Sequence, residues 1–150
     1  MVLKRKIYDK LLEWKKNSQG KKAIMVEGAR RIGKSTIVEE FAKKEYESYI
    51  IIDFAKKDKN VEEFFNLYLN RLDDLFMMLG TYFGVKLIPR KSAIIFDEVQ
   101  SFPQARAAIK YLVADGRYDY IETGSLISIK ENIQDIVIPS EERSINMYPL

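Results

Sequence analysis

The chain of 150 residues has no cysteine and no histidine. The absence of cysteine excludes a disulfide framework and a thiolate metal site, and the absence of histidine excludes imidazole chemistry. Any catalysis must therefore come from carboxylates, lysine, arginine, hydroxyl groups and a bound metal ion. The cytosol is the default compartment for such a composition, and a cytoplasmic location is what we expect.

The sequence also has no long apolar run. No segment approaches the roughly 20 apolar residues of a membrane span, so we expect no contact with a membrane. The basic N-terminus, Met1–Lys6, is followed by neither an apolar stretch nor a small-residue cleavage site, so we expect no secretory signal. The length suits a single soluble domain with a real core.

Positive charge is concentrated at the start of a chain whose net charge is only +3. Residues 1–22 contain eight lysines and arginines but only two acidic residues. A basic helix at this point can contact nucleic acid, although such helices are more often solvated, and no aromatic stacking pattern accompanies the charge. Nucleic acid is therefore an alternative partner and not the favoured one.

The segment Gly28–Ser35 matches the phosphate-loop pattern G-x-x-x-x-G-K-[ST] at every fixed position. Its glycines let backbone N–H groups approach phosphate oxygens, and the helix that follows adds the positive end of its dipole. Lys34 is then a point charge for the β- and γ-phosphates, and the Ser35 hydroxyl is a ligand for Mg²⁺. The predicted nucleotide-binding residues are Gly28, Ala29, Arg30, Arg31, Ile32, Gly33, Lys34, Ser35 and Thr36.

Strand and helix patterns alternate along the chain, which predicts an α/β fold with a parallel sheet covered by helices on both faces. The predicted strands cover residues 23–27, 49–54, 93–96, 118–122 and 144–148. The predicted helices cover 3–17, with Ile7, Leu11, Leu12 and Trp14 on the apolar side, 34–45, 61–79, stopped by Gly80, and 103–116. The aromatic stripe from Phe64 to Phe76 is interpreted as core packing.

Asp97 and Glu98 end the third predicted strand, where open α/β sheets bind ligands. Asp97 would hold the hydration shell of Mg²⁺ opposite Ser35, and Glu98 would act as a base on a water in line with the γ-phosphate. Paired acids alone also fit a solvated strand end. Together with a phosphate loop about 60 residues earlier, they predict a nucleotide hydrolysis site.

Thr123-Gly124-Ser125 follows the fourth predicted strand. The hydroxyl groups of Thr123 and Ser125 can bond the γ-phosphate or the attacking water. The structural alternative is that Ser125 simply caps a helix, since serine is a favoured N-cap residue.

The motifs GARRIGKS, IIFDEVQ, YIETGS and RSINMYPL resemble those of AAA-like P-loop ATPases of archaea and bacteria. More narrowly, the chain resembles the AAA domain that precedes a DUF4143 domain, from about Ile7 to the last residue. The resemblance implies ATP and Mg²⁺ as ligands, ATP hydrolysis, and a three-layer α/β/α sandwich. The implied sheet is mainly parallel and five-stranded, with strand order 5-1-4-3-2.

Carried over residue by residue, the resemblance implies a catalytic set of four side chains. Lys34 and Ser35 match the phosphate loop, Asp97 and Glu98 the second motif, and Thr123 with Ser125 the sensor region. Ser35 and Asp97 would lie at the metal. Arg143 occupies a place similar to the family's arginine, which contacts a γ-phosphate in cis or from a neighbouring subunit of a homo-oligomer.

The resemblance also bears on domain organisation. We expect one ATPase domain over residues 1–150, with an opening helix at 3–17 and a nucleotide-binding core from about residue 21. Similar proteins continue past M-Y-P-L into a C-terminal domain, so we expect a fragment of a longer chain, with that domain as a partner.

Three other functions are weighed against an ATPase. A GTPase would need N-K-x-D and D-x-x-G motifs, whereas Ala55–Asp58 lacks the asparagine and Asp97 is followed by Glu-Val-Gln. A P-loop kinase is less favoured, because Glu98 beside Asp97 suits activation of water. A nucleotide-gated interaction switch with negligible turnover stays open.

Overall fold

The computed structural model describes residues 2–28, 33–124 and 133–137, with Val2, Leu3 and 133–137 described by their backbone. The strands are Ala23–Glu27 (β1), Ser48–Asp53 (β2), Ser92–Asp97 (β3), Asp119–Gly124 (β4) and Ile133–Val137 (β5). The α-helices are Val2–Ser18 (α1), Lys34–Glu45 (α2), Lys59–Tyr68 (α3), Leu72–Phe83 (α4) and Pro103–Asp115 (α5). Two 3₁₀ turns lie at Phe54–Lys56 and Val99–Ser101.

The strands form a parallel sheet in the order β2-β3-β4-β1-β5. The predicted α/β class and the order 1-4-3-2 of the first four strands are confirmed. Every residue of β1, β3 and β4 is buried. Strands buried on both faces often read as continuous apolar runs, and such runs identified β1 (Ala23–Val26) and β3 (Ala93–Phe96), whereas the apolar residues of β4 are Tyr120 and Ile121 alone.

The prediction of a five-stranded sheet is not confirmed in the form in which we made it. Its fifth strand was expected at 144–148, a segment that lies outside the described residues. In the described part of the chain, β1 pairs with β4 on one side and with Ile133–Val137 on the other. Gln134 and Asp135 interrupt the apolar pattern of that segment, so periodicity missed it. Among the described residues β5 lies at the edge of the sheet, and an edge strand pairs on one side only and tolerates such residues.

Alternate residues of β1 to β4 face two separate hydrophobic cores. On one face, Ile24, Ile95 and Ile121 pack with Trp14 of α1 and Phe41 of α2. On the other face lie the side chains that pack with α3, α4 and α5, among them Met25, Phe96, Tyr120, Phe65, Leu75 and Ile109. The sheet is therefore covered on both sides, as a three-layer α/β/α arrangement requires.

The opening helix has a narrower apolar side than the sequence predicted. Ile7, Leu11 and Trp14 are buried, but Leu12 is 36% exposed. Leu12 lies one position, or about 100°, around the helix from Leu11, which explains why only one of the two faces the core. None of the helices in the described ranges is long and apolar enough to span a membrane.

The prediction of one long helix over 61–79 is wrong, because the segment forms two helices, α3 and α4. The chain leaves helical geometry at Arg71 (φ −142°, ψ 75°), after the poor helix former Asn70. Apolar spacing did not reveal the break, since both helices present apolar residues to the same core. Gly80 does not stop the helix either: α4 runs to Phe83 and ends at Gly84, whose φ of 67° favours glycine.

A buried ion pair connects α5 to the sheet. Arg106 Nε lies 3.7 Å from Glu122 Oε1, and the two side chains are 6% and 0% exposed. Charges this deeply buried are tolerated when they are paired, because each alone would carry a large desolvation cost. The pair therefore couples the position of α5 to the middle of β4.

We predict that Arg106→Met lowers the free energy of unfolding by about 3–5 kcal/mol, because Glu122 would keep its buried charge without the arginine. Urea unfolding measures this. The double variant Arg106→Met/Glu122→Gln should recover part of the loss. Arg71→Met is the matched control, since Arg71 pairs with Asp74 at the surface and should change stability by less than about 1 kcal/mol. A similarly small loss for Arg106→Met would contradict the prediction.

Candidate functional site

The candidate site lies at the edge of the sheet where the parallel strands β1, β3 and β4 end. The register pairs Val26 with Thr123 and Phe96 with Glu122, so the residue that follows Phe96 comes beside Thr123. The backbone N–H of Gly28 donates a 3.1 Å hydrogen bond to the carbonyl oxygen of Gly124, which continues the pairing of β1 and β4 into the loop. Three chain segments thus meet at one edge, as expected for parallel strands.

The phosphate-loop segment enters and leaves this edge at its two glycines. Gly33 has φ 77° and ψ 24°, a left-handed conformation that favours glycine, and it precedes the first turn of α2. Its carbonyl oxygen accepts a 3.0 Å hydrogen bond from the N–H of Ile37. The predicted site residues Ala29, Arg30, Arg31 and Ile32 lie outside the described residues.

Lys34 and Glu98 form a buried ion pair across the site. Lys34 Nζ donates a 3.1 Å hydrogen bond to Glu98 Oε2, and the side chains are 1% and 11% exposed. A buried ammonium group requires a partner of opposite charge, and Glu98 provides it. The sequence predicted both residues at the site, but not that they contact each other.

Three further predicted residues meet at one carboxylate oxygen, which belongs to Asp97. Ser35 Oγ and Thr123 Oγ1 each donate a 2.6 Å hydrogen bond to Asp97 Oδ1. Thr123 Oγ1 also accepts a 2.9 Å hydrogen bond from the backbone N–H of Glu98. Lys34, Ser35, Asp97, Glu98 and Thr123 are therefore brought together. Thr36 is exposed on the first turn of α2, and Ser125 and Arg143 lie outside the described residues.

Glu98 has an unusual backbone and a side-chain partner that sequence analysis missed. Its φ of 53° and ψ of 51° are left-handed, a region that residues other than glycine rarely adopt. Gln100 Nε2 donates a 2.8 Å hydrogen bond to Glu98 Oε1. The motif IIFDEVQ contains this glutamine, but spacing alone gave it no function.

A cavity of about 450 Å³ opens beside Ser35 and Asp97. Asp53, at the end of β2, lines it and is the register partner of Asp97. Asp53 Oδ1 accepts a 3.0 Å hydrogen bond from the N–H of Ala55. Sequence analysis missed Asp53, although it ends an apolar strand as Asp97 does. A cavity of about 470 Å³ along α4 shares no lining residue with this one.

The oxygen atoms of the site suit a hard cation with few protein ligands. Among the described residues no group of three or more carboxylates is arranged to hold a metal ion. Mg²⁺ needs no such cage, because it keeps several waters and is usually bound by one or two protein oxygens together with substrate phosphates. The adjacent oxygens of Ser35 and Asp97 fit that requirement.

Comparison with known proteins identifies the family. A family described as an AAA domain matches residues 20–150. No curated protein matches the chain. The fold is similar to that in a solved structure titled "Structure of C. elegans PCH-2", with a TM-score of 0.51 and 13% identity over 93% of this chain and 43% of that chain. The chain thus spans less than half the length of that protein. Because the family match covers most of its length, the chain belongs to the AAA domain family.

Proposed function

We propose that the chain binds ATP with Mg²⁺ and hydrolyses the ATP to ADP and phosphate. The observation that carries the proposal is the contact of Lys34 with Glu98, and of Ser35 and Thr123 with Asp97, at the ends of parallel strands. An ammonium group, a hydroxyl–carboxylate pair and a second carboxylate are the groups that phosphoryl transfer to water requires. Membership of the AAA domain family supports ATPase-like nucleotide binding.

The phosphates would be bound at the N-terminus of α2. The residues assigned to nucleotide binding are those of the segment Gly28–Thr36, with Lys34 toward the β- and γ-phosphates. In the structure the Lys34 ammonium group is held by Glu98. It would exchange this carboxylate for phosphate oxygens when ATP binds, since phosphate oxygens are anionic hydrogen-bond acceptors as carboxylate oxygens are.

Ser35 and Asp97 would hold Mg²⁺. When bound, the ion neutralises charge that develops on the phosphate oxygens. Asp97 would reach it through the hydration shell, and the hydroxyl of Thr123 keeps the Asp97 carboxylate oriented by a 2.6 Å hydrogen bond.

Glu98 would act as the general base. Its carboxylate would take a proton from a water whose oxygen attacks the γ-phosphorus, while the bond from that phosphorus to the β–γ bridging oxygen breaks and ADP leaves. Thr123 would orient the γ-phosphate or the water. Arg143 would add positive charge to the γ-phosphate, in cis or from a neighbouring subunit of a homo-oligomer.

We also propose that the domain is the motor or switch of a larger ATPase, in line with its resemblance to AAA domains that precede a DUF4143 domain. The alternative is a nucleotide-gated switch with negligible turnover. The 3.1 Å contact between Lys34 and Glu98 favours this alternative in one respect, because it occupies the base until nucleotide binds. A P-loop kinase, the other alternative, would turn over ATP only when an acceptor for the phosphoryl group is present.

Replacement of Lys34 tests phosphate binding. We predict that Lys34→Ala lowers ATP affinity by at least about a hundredfold, because it removes a charge-assisted bond to phosphate of roughly 3 kcal/mol. It also removes the ammonium group that offsets part of the negative charge of Glu98. Titration with a fluorescent ATP analogue in the presence of Mg²⁺ measures this. Lys43→Ala, on an exposed position of α2, is the matched control. Unchanged affinity in the Lys34 variant would exclude the assigned phosphate site.

Replacement of Glu98 separates binding from turnover. We predict that Glu98→Gln lowers the rate of ATP hydrolysis by roughly 10²–10⁴-fold, because an amide cannot accept the proton from water. ATP affinity should be retained or increased, since the neutral amide holds Lys34 less tightly. Phosphate release in the absence of any acceptor measures turnover, and ATP titration measures affinity. Glu63→Gln, exposed on α3, is the control. Equal turnover in the Glu98 variant would remove Glu98 as the base.

A further inference from the structure

Gln100 holds the Glu98 carboxylate by the oxygen that Lys34 does not contact. Gln100 lies in the 3₁₀ turn Val99–Ser101, and its Nε2 donates a 2.8 Å hydrogen bond to Glu98 Oε1. Lys34 Nζ donates to the other oxygen, Oε2, at 3.1 Å. The two oxygens of one carboxylate are thus bonded to two different side chains, one charged and one neutral.

The two partners differ in what ATP does to them. Lys34 belongs to the proposed phosphate site and would leave Glu98 when ATP binds. Gln100 is neutral, lies two residues from Glu98 in the same chain segment, and has no phosphate assigned to it. Its hydrogen bond to Oε1 can therefore persist in the nucleotide-bound state, while Oε2 turns to the water.

The orientation of the Gln100 amide follows from hydrogen-bond chemistry. A carboxylate accepts hydrogen bonds and donates none, so only the amide nitrogen of Gln100 can face it. The amide oxygen then points the other way. Gln100 Oε1 is buried and has no hydrogen-bond partner among the described residues.

Gly124 gives this amide its space. A Cβ atom built on Gly124 would lie 2.9 Å from Gln100 Oε1 and 3.9 Å from Met25 Cε. A side chain at position 124 would therefore force the Gln100 amide to move from where it stands. The backbone of Gly124 is in β4 and pairs normally there, so the requirement for glycine comes from Gln100 and not from an unusual φ angle.

We infer that Gln100 is a positioning residue for Glu98, and that Gly124 is glycine in order to admit it. This rests on the proposed hydrolysis of ATP. Gln100 keeps the carboxylate directed at the water after Lys34 has moved to the phosphates. It acts through Glu98 and touches no reacting atom.

Two variants disturb the same contact from opposite sides. Gln100→Ala removes the amide, and Gly124→Ala displaces it by the new methyl group while the backbone bond from Gly28 to Gly124 is kept. Each should lower kcat by roughly tenfold to a hundredfold, the effect of misplacing a reacting group by about 1 Å. ATP affinity should stay within about threefold of that of the original chain. Gln104→Ala is the matched control, an exposed glutamine on α5.

The double variant Gln100→Ala/Gly124→Ala gives the sharpest readout. If both changes act through one contact, its kcat should equal that of Gln100→Ala alone, whereas independent effects would multiply. A merely structural role would lower the unfolding midpoint and ATP affinity together and would leave the kcat effects multiplicative.

The outcomes distinguish the inference from the proposed function. A normal kcat in Gln100→Ala, beside a large loss in Glu98→Gln, would overturn the positioning role and leave the hydrolysis proposal intact. Equal turnover in the original chain and in Glu98→Gln would overturn the proposed function itself. If the 150-residue chain shows no turnover, urea unfolding decides: Gly124→Ala should destabilise the original chain more than it destabilises Gln100→Ala. Equal destabilisation would refute the contact.

Discussion

The hydroxyl group of Thr123 joins the ends of two strands, and the geometry of the site depends on it. It donates to Asp97 Oδ1 at 2.6 Å and accepts from the N–H of Glu98 at 2.9 Å. Asp97 also accepts from Ser35, so hydrogen bonds run from β4 through β3 to the first turn of α2. In a largely buried network, a group that loses its partner carries a cost of about 1–3 kcal/mol. The three elements are therefore held in one relative arrangement.

Strand alternation explains which side of the sheet this network occupies. Asp97 and Thr123 each lie two residues beyond an isoleucine, Ile95 and Ile121, that packs toward α1 and α2. Because side chains two residues apart share a face, the carboxylate and the hydroxyl point to the face covered by α2, where Ser35 lies. The same apolar pattern that builds the core thus directs the polar groups at its end.

The parts of this molecule that could be predicted from sequence are those in which one local pattern has one structural outcome. Short segments of apolar or β-forming residues identified β1 to β4, and the loop motif with its paired acids identified Lys34, Ser35, Asp97 and Glu98 as neighbours in space. The division between α3 and α4 could not be predicted, because two helices that pack on one core have the same spacing of apolar residues as a single helix. The contact of Gln100 with Glu98 could not be predicted either, since the turn that follows β3 determines which side chain lies beside Gln100.

The left-handed backbone of Glu98 has a consequence for the energetics of this position. Glutamate is poorly suited to a φ of 53°, and glycine would adopt it with less strain. Continued alternation along β3 would direct residue 98, like Phe96, toward the α5 face, whereas the turn brings its carboxylate to Lys34. A substitution to glycine would relieve this strain, but it would also remove the carboxylate from the buried Lys34 ammonium group, which costs about 3–5 kcal/mol when a buried pair loses one partner. That loss is larger than the roughly 1–3 kcal/mol of backbone strain, so the ion pair with Lys34 holds glutamate in a conformation that its backbone disfavours.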